Sequence, residues 1–118
     1  MNIQVFGVKK CFDTKSAQRF FKERGIKFQF IDLNEKEISK KELLSVLESV
    51  KDTDLLFNEK SPLYESLNVK YIMRSREDKI ELLLTNQGLI KTPLVRDTES
   101  RQATVGNAQA VWKTWLKK

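Results

Sequence analysis

The stretch from Ile3 to Arg24 constrains the fold more than any other part of the chain. An apolar run, Ile3, Val5 and Phe6, stops at Gly7-Val8-Lys9-Lys10. The only cysteine, Cys11, follows, and after it Phe12-Asp13-Thr14. From there Ala17, Phe20 and Phe21 recur on one side of a helical wheel, with Lys15, Gln18, Arg19, Lys22 and Glu23 on the other. The pattern predicts a strand that hands over to a helix at Cys11, with Asp13 or Thr14 as the cap and Gly25 as the stop.

That position gives the thiol a distinct chemistry. A helix start presents unpaired N–H groups and the positive end of the macrodipole, and both favour an anion. A thiolate is such an anion, so Cys11 is expected to ionise more readily than an ordinary thiol, each pKa unit being worth about 1.4 kcal/mol. Lys9, Lys10 and Lys15 add to this if they point toward the sulfur. A lone cysteine is more often a small buried hydrophobe. The place between a strand and a helix, among lysines, favours the reactive reading here.

Composition narrows the chemistry further. A chain of 118 residues is read as one domain over 1–118, large enough for a single core without disulfides or metals. One cysteine allows no intramolecular disulfide, which suits a reducing, cytoplasmic setting. With no histidine, His-ligated metal sites and Cys-His or Ser-His catalysis are excluded, and no metal site is expected. Nothing resembles a signal peptide or a membrane span, so no membrane partner is expected. The net charge of +6 is lopsided: Met1 to Phe30 carries seven Lys/Arg against Asp13 and Glu23, and the remainder nearly balances. A basic excess around the cysteine suits an anionic substrate. No aromatic-interleaved basic run points to direct nucleic-acid binding.

Along the rest of the chain, Lys27 to Ile31 alternates as a second strand, parallel to the first across a right-handed helical crossover. Ser39 with Glu42 forms a capping box ahead of Leu43, Leu44, Val46, Leu47 and Val50. Leu55-Leu56-Phe57 is a short apolar segment. Ser61-Pro62 opens a helix carrying Leu63, Tyr64 and Leu67, and Ser75 opens another through Leu84 that buries Ile80, Leu83 and Leu84. Thr92 to Asp97 and Gln102 to Val105 are expected to pair antiparallel, and a last helix from about Asn107 should press Val111, Trp112, Trp115 and Leu116 on the sheet. The fold class is therefore α/β: a thioredoxin-like four-stranded mixed sheet, βαβ…ββα, with a helical insertion at about 36–87. Phe28, Phe30 and Leu94 are expected in its core.

The same residues carry a family resemblance. Gly7-Val8-Lys9-Lys10-Cys11 with Thr14 and Ala17, Phe30-Ile31-Asp32, Leu56-Phe57-Asn58-x-Lys60-Ser61, Gly88-Leu89-Ile90-Lys91-x-Pro93-Leu94 and Val105-Gly106 with Trp112 resemble the ArsC/Spx branch of the thioredoxin superfamily. That resemblance implies a nucleophilic Cys11 and a cis Pro93 that sets Thr92 opposite it. It implies Lys15, Lys60, Thr14 and Thr92 as the anion- or substrate-binding set. It also implies glutathione as a co-substrate with no bound cofactor, glutaredoxin as a partner, and a monomer acting on arsenate-type oxyanions or disulfides. The alternative it implies is a Spx-type regulator that binds the RNA polymerase alpha subunit without turnover. Two departures stand out. Thr14 occupies the place of a second cysteine, so no CxxC switch exists, and Thr92 and Asn58-Glu59-Lys60-Ser61 lack the arginines of the arsenate reductases.

Overall fold

The computed structural model describes residues 1–69 and 75–116. The central strand, β1 (Ile3–Gly7), pairs in parallel with β2 (Phe28–Asp32) and antiparallel with β3 (Leu94–Asp97), and β3 pairs antiparallel with β4 (Gln102–Val105). The strand order is β2-β1-β3-β4. Helix α1 (Phe12–Glu23) makes the crossover from β1 to β2, and α5 (Gln109–Trp115) closes the chain. Between β2 and β3 lie α2 (Lys40–Val50), α3 (Pro62–Ser66) and α4 (Arg76–Thr85), with 3₁₀ turns at Thr53–Leu56 and Gln87–Leu89.

Alternation along β1 splits the core in two. Ile3 and Val5 point to one face, where they meet Ala17, Phe20 and Phe21 of α1, Val95, and Trp112 and Trp115 of α5. Phe20, Phe21 and Trp112 stack with ring centroids 5.1–5.3 Å apart, a geometry that adds to simple area burial. Phe6 points to the other face and joins Leu94 and Ala103 under Leu43, Val46 and Leu47 of α2 and Ile80 and Leu83 of α4. The second strand is an edge, which is why Phe28 and Phe30 are only half-buried rather than core residues.

Local signals account for the helix starts. The capping box of α2 is complete: Ser39 accepts from the Glu42 N–H, and the Glu42 carboxylate accepts from the Ser39 N–H at 3.0 Å. Ser61 and Ser75 cap α3 and α4 with the side-chain oxygen alone, accepting from the Leu63 and Asp78 N–H groups. In α5 the helix begins at Gln109, after Asn107, and this start leaves Val111 exposed and Leu116 half-buried, while Trp112 and Trp115 take the core. Leu84 is likewise half-buried. A single hydroxyl ties α2 to the outer edge of β4: Ser49 Oγ donates to the Ala103 carbonyl at 3.1 Å and accepts from the Ala103 N–H at 3.0 Å. Among the described residues no helix is long and apolar enough to cross a membrane.

Candidate active site

The cap of α1 falls on Cys11 itself, two residues before Asp13 and three before Thr14. The Cys11 N–H donates to the Val8 carbonyl at 3.1 Å, and the Cys11 carbonyl accepts the first helical bond, from the Lys15 N–H, at 3.1 Å. Thr14 therefore sits inside the first turn, fully buried, with its side chain pressed against Gly7. A Cβ on Gly7 would collide with the Thr14 hydroxyl and methyl, so glycine at the end of β1 is what lets Thr14 lie there. Thr14 Oγ1 is buried and makes no hydrogen bond in the structure. Such an orphan is costly, and the Cys11 thiolate is the acceptor that would relieve it.

The half-exposed Cys11 Sγ faces the Thr92 carbonyl at 3.6 Å, across a cis Thr92-Pro93 peptide. Pro93 is buried and holds the strand start, its carbonyl accepting from the Gly106 N–H at 2.8 Å. Burial works against ionisation of Cys11. Hydrogen bonds from the Thr14 hydroxyl, the Thr92 side chain and the Thr14 and Asp13 N–H groups outweigh it, and the thiol pKa lies below its ordinary value.

The far wall comes from the insertion. Phe57 and Ile90 form an isolated antiparallel bridge, flanked by bonds from the Asn58 N–H to the Leu89 carbonyl and from the Lys91 N–H to the Leu56 carbonyl, each 2.7 Å. This clamp draws Asn58, Glu59 and Lys60 up beside Lys91 and Thr92. The 3₁₀ turn at Thr53–Leu56, capped by Asp52, adds Asp54 and Leu55. Lys79 of α4 pairs with Asp54 at 2.7 Å. Together with Cys11, Phe12 and Asp13 these residues line an open cleft of about 690 Å³.

Of the expected residues, Cys11, Lys60 and Thr92 line the cleft, Thr14 lies beneath the sulfur and Pro93 behind Thr92. Lys15 does not line it and stands exposed on the outside of α1. Lys9 is turned away toward Asp32 and Glu35, at 3.9 and 3.7 Å. Lys91, Asp54, Glu59 and the exposed apolar side chains of Phe12 and Leu55 are cleft residues that the sequence did not single out as such. The cleft is thus mixed in charge, with two lysines against Asp13, Asp54 and Glu59, and has no arginine in its lining. No cluster of metal-ligating side chains occurs among the described residues.

A strand, a cysteine at a helix start and a cis-proline facing the thiol define a thioredoxin-like thiol protein. The chain belongs to the ArsC family, whose profile matches residues 6–115. It is 34% identical over 110 residues to the uncharacterized protein YusI of Bacillus subtilis, covering 90% of this chain and 91% of that one. It is 24% identical over 103 residues to the global transcriptional regulator Spx 2 of Oceanobacillus iheyensis, covering 86% of this chain and 76% of the regulator. Among solved structures, an ArsC-family-related protein from Bacteroides fragilis superposes with a TM-score of 0.87 at 23% identity, over 97% of both chains. At the family level this places the chain among thiol-dependent reductases and Spx-like regulators.

Proposed function

We propose that this protein is a monothiol reductase that acts on disulfides, with glutathione, alone or through glutaredoxin, as the source of electrons. The observation that carries the reading is Cys11: a thiol of lowered pKa that opens on a roomy cleft of mixed charge. A compact oxyanion calls for converging cationic forks, and arginine supplies these where lysine acts only as a point charge. Asp13 and Glu59 at the rim, beside an Asp54 already paired with Lys79, work against a small multiply charged anion. A tripeptide thiol, with two carboxylates and an ammonium, suits Lys60, Lys91 and the rim acids better.

In the first step the Cys11 thiolate attacks the glutathionyl sulfur of a mixed disulfide. The old S–S bond breaks, the substrate sulfur leaves as a thiolate and takes a proton from water, and Cys11 becomes joined to glutathione. A second glutathione thiolate then attacks the glutathionyl sulfur. Glutathione disulfide departs, and the Cys11 thiolate returns to its place over Thr14 and the α1 N–H groups. A thiol of low pKa is a good leaving group in this second step. Thr92, held by Pro93, offers its backbone to the substrate main chain.

The test is glutathione-dependent turnover of a small glutathionyl mixed disulfide, compared with arsenate under the same conditions. Turnover of the disulfide that vanishes in Cys11→Ser is the expected result. Arsenate reduction without disulfide reduction would overturn the reading. A second reading rests on the likeness to the Spx 2 regulator: a protein that binds RNA polymerase without turnover. Co-purification of the polymerase alpha subunit with wild type and Cys11→Ser alike, in the absence of any thiol chemistry, would favour it.

A further inference from the structure

None of the cations of the first thirty residues lines the cleft, and three of them, Lys15, Arg19 and Lys22, lie along the outside of α1. Thr14, Ala17, Phe20 and Phe21 turn inward. At about 100° per residue, Phe12, Lys15, Arg19 and Lys22 then fall within roughly 80° of one another on the opposite face. All four are exposed, Phe12 by 74%. Lys15, Arg19 and Lys22 make no ion pair with any described residue, and neither do Lys10 and Lys27 at the two ends of the helix. The only acid on that face is Glu23, beside Arg19 and Lys22. Phe12 is a helix-start residue with its ring in solvent, and it lines the cleft next to Cys11.

We infer that this face of α1 is a docking surface for a thiol protein with an acidic rim, which delivers its disulfide to Cys11. The inference rests on the reductase reading above and adds to it the kind of partner. A large apolar side chain left in water is the kind of group that anchors protein contacts, and unpaired cations around an anchor supply steering and orientation. A small anion gains little from this layout, because the charges run along the helix away from the sulfur. An acidic polypeptide engages Phe12 and the stripe together while its sulfur reaches the cleft.

The test uses two glutathionylated peptides of equal length, one with glutamates and one with lysines around the modified cysteine, and the neutral 2,2′-dithiodipyridine as a third substrate. The rate of exchange with Cys11 should be about tenfold higher for the acidic peptide than for the basic one at low salt, and the gap should close as salt is added. In Arg19→Glu/Lys22→Glu the acidic preference should vanish or invert, with the rate toward 2,2′-dithiodipyridine unchanged. Phe12→Ala should slow both peptides and leave the ratio of their rates unchanged, since the anchor serves both and the charges that tell them apart remain. Equal rates for the two peptides, with brisk reaction of 2,2′-dithiodipyridine, would overturn the docking surface and leave the thiol chemistry standing. An unreactive Cys11 toward all three would overturn the reductase reading itself. Protection of the stripe by a short DNA duplex, with no preference between the peptides, would assign the charge to nucleic acid and overturn the inference as well.

Discussion

Thr14 is where one atom decides the reactivity of another. Its hydroxyl is buried and without a hydrogen-bond partner, and the Cys11 thiolate is an acceptor it can serve. Thr14→Val keeps the shape and removes the donor, so it should move the pH midpoint of iodoacetamide alkylation upward. The sign follows from the balance at the site: burial opposes the thiolate, hydrogen bonds favour it, and the substitution removes one of these bonds. In the wild type the alkylation rate should rise through a midpoint below that of an ordinary thiol. An unshifted midpoint in Thr14→Val would mean that the backbone N–H groups alone hold the charge. Gly7→Ala should act on the same contact from below, displacing Thr14 and lowering thermal stability, as read by Tm.

At the scale of elements, α1 works as a plate between the sheet and solvent, and its packing can be tested by truncation. Phe21 is fully buried against Trp112 and Phe28, so Phe21→Ala should cost about 3–5 kcal/mol in a urea titration. The sequence displays this helix clearly, because a 3.6-residue period over twelve residues has no competing reading. The capping box of α2 and the cysteine at a strand-helix junction were legible for the same local reason. The cap of α1 was not, since the Val8 carbonyl draws the start back to Cys11 through a turn that no side chain announces. The far wall of the cleft was hidden for a different reason. Asp54 and Leu55 belong to the segment that the Phe57–Ile90 bridge pairs with Ile90 and Lys91, and a two-residue pairing between distant segments leaves no periodicity to read. Phe28 and Phe30 show the limit of alternation: it identifies a strand without telling an edge from a centre.

For the molecule as a whole, the end of the sheet opposite the thiol is fixed by one carboxylate. Asp97 is buried and accepts from the Asn2 and Glu99 N–H groups and the Ser100 hydroxyl, at 3.0, 3.2 and 2.9 Å. Burial alone would raise its pKa, but these bonds and the nearby N-terminal charge outweigh it and hold the pKa below the ordinary carboxylate value. The unfolded chain then binds the proton more readily than the folded one. Asp97 therefore stabilises the fold at neutral pH, and that contribution fades as pH falls from the ordinary aspartate range through the lower folded value. Asp97→Asn should melt at a lower temperature at neutral pH and show a shallower loss of Tm on acidification. Parallel acid profiles for the two proteins would remove Asp97 from the account.

The Ser49 hydroxyl has a bearing on what happens when many copies of this chain share a solution. By occupying both hydrogen-bonding groups of Ala103, it takes from the rim of β4 the donor and acceptor on which a foreign strand would register. Lateral growth of the sheet is therefore stoppered on that side by a side chain from α2. Ser49→Ala should uncap it, and the purified variant should drift toward higher-order species on prolonged concentration in size-exclusion runs, at a point where the parent chain still elutes as one sharp peak.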